Sequence, residues 1–339
     1  MPDTKQLLLD FSKTTGVSGA ENDAASFAAE VLSEFGKVQI NPLGSVICTV
    51  REPAPGTPHL LLDAHIDEIG MIVTFIDDSG FLRVSNCGGM DRRLLAASVV
   101  TIHSQKPITG VVCSIPPHLS SGDSKNPKVD EIYIDIGYSK NEAEKLINLG
   151  DRVTINSTGA EMPGGLVCGK AIDDRAGCVS IIKALEYLEH EPQIGLSVVF
   201  STMEEVGGMG AKTAAYTVNP SHAIAVDVSF AHTPDAPREK CGILGKGPMI
   251  GFSPILSQAM SKKFIELAKE KNIPYQSEVM GGRTGTNIDS IATTRGGVMS
   301  GLISIPQKYM HTPNEVVSIE DIENTAKLMA AYIDSFDVQ

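Results

Sequence analysis

Tryptophan is absent from these 339 residues and aromatic side chains make up only 5% of them, so little flat ring surface is available for stacking against sugars. No run of five or more basic residues occurs, and 41 acidic against 28 basic residues give a formal charge of −13. That balance makes nucleic acid and anionic membranes poor partners. The six cysteines (Cys48, Cys87, Cys113, Cys168, Cys178, Cys241) are scattered without a CxxC, which speaks against a disulfide frame or a zinc finger and for a reducing compartment. No uninterrupted apolar run approaches membrane-spanning length. The first residues, Met-Pro-Asp-Thr-Lys-Gln, lead into an amphipathic segment without the apolar core of a signal peptide, and a cytoplasmic protein is expected. What is present is a hydrophobic content of 42%, enough for a large core and two domains.

Leu7, Leu8, Leu9 and Phe11 predict a short first helix. Ser18 and Glu21 have the spacing of a capping box and predict the start of a second, ended at Gly36. Strands are expected at 38–41 and 45–51, followed by a buried one from His59 that ends in the polar residues up to Asp67. From about 69 to 160 the chain reads as short strands and turns, with a loop tip at Gly122 to Lys128, which predicts a small β-sandwich or barrel. From about 165 helices and strands alternate, including a strand at 222–228, as in a largely parallel sheet covered by helices on both faces. The expected architecture is α/β: a domain formed by residues 1–68 and 161–339, with an inserted β-domain at 69–160.

The chemistry centres on the stretch Leu196 to Gly210. Val198, Val199 and Phe200 predict a buried strand, and Glu204 and Glu205 follow it before a glycine-rich turn. Two adjacent acids there are tolerated if solvent reaches them, if one keeps its proton, or if a cation sits between them and other acids. His65 and Asp67 lie two apart, which on a strand places them on one face; Asp67 can hold the second ring nitrogen of a ligating His65. Asp173 and Asp174 precede an amphipathic helix, where either could simply cap it. Asp227 ends an apolar strand and His311 follows another. Each cluster alone has an ordinary structural explanation. Together they supply two histidines and at least three carboxylates on the strand ends of one sheet. That is the donor set of a two-metal hydrolytic site, with nitrogen and oxygen but no thiolate. Since neighbouring strand residues face opposite ways, one glutamate should sit on metal and the other take a proton from water.

The segments GVSGAEND, DAHIDEIGMIV, GKAIDDRAGC, MEEVGGMGA, AVDVS, GKGPMI, GGRTGT and MHTPNEVV span nearly the whole chain. In them the sequence resembles the glutamyl-aminopeptidase or tetrahedral-aminopeptidase (TET) family of dinuclear metallopeptidases, some of whose members carry an older endoglucanase label. The resemblance implies a zinc-exopeptidase-like fold and short peptides as substrates. It implies Asp173 as the bridging carboxylate, His65 and Asp227 as the other ligands of one metal, and Glu205 and His311 as those of the second. Glu204 would be the general base and Asp67 the support of His65, with a cis peptide bond at Asp173–Asp174. The cations would be Zn²⁺ or Co²⁺, with Mn²⁺ also compatible. A homo-oligomer is implied, a dodecameric shell or a dimer, with contacts through the inserted domain. One departure is Asn287, where many relatives carry Asp, which bears on how that loop binds the substrate amine or carbonyl. Two other readings fit the residues less well. A glycan hydrolase is disfavoured by the missing tryptophan and by histidines its chemistry does not need. A non-catalytic peptide-binding scaffold is disfavoured by the intact ligand set. The preferred N-terminal residue stays open, with Arg283 and Lys308 as candidate partners for an acidic side chain.

Overall fold

The computed structural model describes residues 2–119 and 126–336, so residues 122–125 of the expected loop tip lie outside the described residues. The chain opens with helices α1 (Thr4–Lys13) and α2 (Asn22–Leu32), then strands β1 (Lys37–Ile40), β2 (Val46–Arg51) and β3 (His59–His65). The expected capping box does not form: Glu21 is the N-cap residue of α2 and neither it nor Ser18 caps the helix through its side chain. Those two side chains are drawn instead toward the loops at the sheet's carboxyl edge, as shown below.

Six strands follow: β4 (Gly70–Ile76), β5 (Leu82–Cys87), β6 (Val99–His103), β7 (Ile108–Val112), β8 (Tyr133–Asp135) and β9 (Arg152–Ile155), with helix α3 (Lys140–Leu146) before the last. They close into a barrel in the order β4-β5-β8-β7-β6-β9. Met71, Val84, Val100, Ile102, Ile134 and Val153 fill it. Closure leaves no unpaired strand edge, and inward residues alternate with outward ones along each strand.

The remaining elements are β10 (Ala160–Met162), β11 (Leu166–Gly169), α4 (Ile172–Glu186), β12 (Gly195–Ser201), α5 (Met209–Val218), β13 (His222–Phe230), β14 (Met249–Phe252), α6 (Gln258–Glu270), β15 (Gln276–Val279), α7 (Ile288–Ile291), β16 (Met299–Lys308), β17 (Glu315–Ser318) and α8 (Ile319–Asp334). The large sheet runs β1-β2-β12-β3-β13-β16-β17-β11-β10, with β14 joining β16 to β15. It is mixed rather than largely parallel. The central β12, β3, β13 and β16 are mutually parallel, whereas β2, β17, β11 and β14 join antiparallel. Of these joins only β16 to β17 is made by a short connection; β2 meets β12 and β11 meets β17 across long stretches of chain, so their direction depends on long-range register that hydrophobic content does not carry.

Residues of the central strands divide by parity. Leu60, Leu62, Val198, Phe200, Ile224 and Val226 share one core with residues of α1, α4 and α8. Leu61, Val199, Ala223, Ala225 and Leu302 share another with residues of α5 and α7. A strand buried on both sides reads as a continuous apolar run, as in Leu60-Leu61-Leu62. Because the four central strands point the same way, their carboxyl ends meet along one edge, where ligands bind in open α/β sheets. Among the described residues no helix is long and apolar enough to cross a membrane.

Candidate active site

His65 is the last residue of β3 and stands opposite Ser201, the last of β12. Its Nε2 lies 3.1 Å from Asp173 Oδ1 and 3.9 Å from Asp227 Oδ1. Asp173 sits at the irregular start of α4, where Ala171 is left-handed, Asp173 and Asp174 depart from helical geometry, and the bond between them is cis, as the resemblance implies. The second oxygen of Asp173, Oδ2, lies 3.3 Å from His311 Nε2, which is itself 3.3 Å from Glu205 Oε1. Asp173 thus presents one oxygen to each histidine. His65, Asp173, Glu204, Glu205, Asp227 and His311 all line one open cavity of about 720 Å³.

Three local expectations need correction. The glutamates do not lie on a strand: β12 ends at Ser201, Met203 is left-handed, and Glu204 and Glu205 occupy a turn. Their different surroundings come from that turn and not from strand alternation. Asp67 is likewise beyond the end of β3, fully buried and not on the cavity wall. Its backbone carbonyl lies 3.1 Å from His65 Nδ1, while its carboxylate accepts the backbone N–H groups of Glu204 (3.0 Å) and Glu205 (3.2 Å) and the Ser18 hydroxyl (2.6 Å). Finally, Asp227 is not terminal: β13 continues to Phe230.

The loop carrying the glutamates is held from a second side. Glu21 Oε1 accepts the N–H of Met203 at 3.1 Å and of Gly19 at 2.7 Å. Sequence reading assigned Ser18 and Glu21 to a helix cap because their spacing is the same in either role.

Burial opposes charge on His65, but hydrogen bonds to Asp173 and Asp67 outweigh it and hold the imidazole well above its ordinary value. Burial works against the Asp173 carboxylate too, yet the two histidines hold it well below the ordinary range. Burial pushes Glu205 and Asp227 far above that range, with the charge of Asp173 adding to it, and raises Glu204 as well. So many acids in one buried place cannot all ionise without a compensating charge.

The donors fit divalent cations. His65, Asp173 and Glu205 form one group whose ligand atoms lie within 4.8 Å of one another, and His65, Asp174 and Asp227 form another. All are nitrogen or oxygen donors. Asp174, a possible helix cap by its position, does accept the N–H of Gly177 on Oδ1 (3.1 Å), but its Oδ2 is buried without a hydrogen-bond partner among the described residues.

Several supporting residues had no distinct signal in the sequence. Glu315 is fully buried and accepts backbone N–H groups from Ile172, Asp173 and His311. Glu68 is buried between Lys170 (2.7 Å) and Arg175 (3.5 Å), and Arg175 also donates to the carbonyls of Phe11 and Thr14 at the end of α1. The barrel reaches the site through Gly88 and Gly89: a Cβ on Gly89 would stand 2.8 Å from His311 Nδ1. Asn287 is buried and does not line the cavity; its Nδ2 donates to Asp63 Oδ2 (2.9 Å) and Ser201 Oγ (2.7 Å). Its amide therefore answers a buried acid, Asp63, whose carboxyl burial pushes up to about 7.

Comparison with known proteins finds one family along most of the chain. A family profile described as M42 glutamyl aminopeptidase matches residues 44–328. The lysyl aminopeptidase of Pyrococcus furiosus is 32% identical over 338 residues, covering 97% of this chain and 96% of its own. Among solved structures, an aminopeptidase of the archaeon Desulfurococcus kamchatkensis matches with a TM-score of 0.92 at 34% identity, over 98% of this chain and 94% of that one. The TET1 peptidase of Pyrococcus horikoshii, described as able to assemble into a tetrahedron or a large octahedral shell, matches with a TM-score of 0.86 at 31% identity, over 98% and 99% of the two chains.

Proposed function

The chain belongs to the M42 glutamyl aminopeptidase family and is an aminopeptidase, and from that premise we propose that it releases N-terminal residues from short peptides at the cavity centred on Asp173. One observation carries this reading: Asp173 turns Oδ1 to His65 and Oδ2 to His311, the posture of a carboxylate shared by two cations. His65 and Asp227 would complete one cation site with Asp173, and Glu205 and His311 the other. The nitrogen and oxygen donors suit Zn²⁺ or Co²⁺, and accept Mn²⁺. When bound, such a pair compensates the buried acids, polarises the scissile carbonyl and makes water acidic enough to attack near neutral pH.

The residues of the chain divide the remaining work. Glu204 takes the proton of the attacking water on its carboxylate and passes it to the leaving amine nitrogen. Asp67 fixes the backbone of Glu204 and Glu205; both side chains line the cavity, and Glu205 stands against His311. A carboxylate of the site receives the free α-amine of the substrate.

The test is hydrolysis of amino-acid anilides. Chelator should abolish it, and Zn²⁺ or Co²⁺ should restore it. Glu204→Gln should keep its metal and lose about 10²–10⁴-fold in turnover, the usual contribution of positioned proton transfer. A fully active Glu204→Gln enzyme would remove the base from the mechanism.

We further propose that residues 1–68 and 161–339 form the catalytic unit and that 69–160 make the contacts of a homo-oligomer, a dodecamer or a dimer. Exposed Phe75 and the exposed, cross-strand-paired Val99 and Val111 on the barrel support such contacts. Light scattering of the purified protein distinguishes the two sizes. Six free cysteines support a reducing, cytoplasmic setting.

A further inference from the structure

Among the described residues the cavity is lined by two carboxylates that the chemistry above does not use: Asp289, which faces Arg283, and Glu278. Glu278, on β15, accepts the Ser304 hydroxyl on Oε2 at 2.8 Å, and its Oε1 is hydrogen-bonded by the Ser229 hydroxyl. Both partners are neutral, and among the described residues no lysine, arginine or histidine side chain pairs with it. A carboxylate whose partners are neutral hydroxyls has no counter-ion of its own and offers its remaining lone pairs to a cationic donor.

Its place relative to the reacting centre is fixed by the sheet. Ser304 stands directly opposite Asp227 in the parallel pairing of β13 with β16, and Ser229 is two residues beyond Asp227 on the same face. Glu278 therefore bridges two levels of the sheet: Oε2 is bonded at the level of Asp227, and Oε1 at the level of Ser229, two residues or about 6.7 Å of strand further along the cavity. The stretch from Asp227 to the level of Ser229 is longer than the two bonds that separate a scissile carbonyl from the substrate α-amine. A basic side chain on a long aliphatic stem spans it. Val228, Phe230 and Met280 line the same cavity and offer apolar wall to the methylenes.

The opposite preference lacks a free partner. Arg283 lines the cavity, but its Nε faces Asp289 Oδ2 at 3.3 Å and its side chain is 80% exposed. Lys308 is not part of the lining.

We infer that Glu278 is a specificity-determining residue and that this aminopeptidase selects peptides whose N-terminal residue is lysine or arginine. The inference rests on the aminopeptidase reading of the same cavity. Its test is kcat/KM of the metal-loaded enzyme on lysyl, arginyl, leucyl and glutamyl anilides. Lysyl and arginyl substrates should lead leucyl by about tenfold or more, the scale of a hydrogen bond to a charged group, and glutamyl should be last. In Glu278→Gln the lysyl-to-leucyl ratio should fall about tenfold, mainly through KM, and Glu278→Lys should move preference toward the glutamyl substrate. A wild-type enzyme that prefers leucyl or glutamyl anilide, or a Glu278→Gln ratio equal to that of wild type, overturns the inference and leaves the aminopeptidase reading intact. If all four substrates resist hydrolysis, both fall together. The wild-type panel decides the matter even should a variant fail to fold.

Discussion

Glu315 accepts the backbone N–H of Asp173 at 3.0 Å, and this bond ties the central acid of the site to the loop of His311. The same oxygen takes the N–H of Ile172 at 2.8 Å, and the other takes the N–H of His311 at 2.9 Å. A single buried carboxylate therefore positions residues from two distant parts of the chain. Glutamine in its place offers one oxygen and sets an N–H₂ group against an N–H donor. Glu315→Gln is expected to weaken metal binding about 10–100-fold, as loss of an outer-shell partner does, while the protein stays folded. Calorimetric titration of the metal-free protein with Zn²⁺, beside its circular dichroism spectrum, reads both quantities. Unchanged affinity would show that the ligands hold their places without Glu315.

Asn287 and Asp63 form an acid–amide pair behind the site, with the Asn287 amide donating to the Asp63 carboxylate at 2.9 Å. Asn287→Asp would set two carboxyls together in a buried place, with one forced to keep its proton. Loss of about 3 kcal/mol is expected, the lower range for an uncompensated buried charge. The exchanged pair, Asp63→Asn with Asn287→Asp, should recover most of that loss. Denaturant unfolding of the two single variants and the double variant completes the cycle. A double variant as unstable as the worse single one would disconnect the two residues.

Gly89 follows the barrel strand β5 and leaves no room for a side chain beside the imidazole of His311. Gly89→Ala should displace that ring, because the added carbon would stand 2.8 Å from Nδ1. Misplacement on that scale costs up to about 10²-fold in turnover, with little change in the melting temperature. Activity equal to wild type would mean that the barrel loop yields and does not shape the site.

The sequence displayed the site better than its supports. His65, Asp173, Glu204, Glu205, Asp227 and His311 were legible because acids and histidines beside apolar strands are chemically conspicuous, and the resemblance ordered them. The barrel was legible from its succession of short strands and turns. The mixed sheet was not, since antiparallel joining depends on connections and register more than on composition. Ser18 and Glu21 were misread because a capping spacing is local, whereas their partners, Asp67 and Met203, are 49 and 182 residues away. Glu315 and Asp63 carried no spacing signal at all; only the folded backbone shows which amides they meet.

Anomalous diffraction from crystals of the Zn²⁺-loaded protein, recorded on both sides of the zinc edge, tests the shared role of Asp173 most directly. Two peaks are expected, one between Asp173 Oδ1, His65 and Asp227, the other between Asp173 Oδ2, His311 and Glu205. A single peak, or two peaks that leave Asp173 bound to only one ion, would contradict the bridging arrangement and the hydrolytic chemistry built on it.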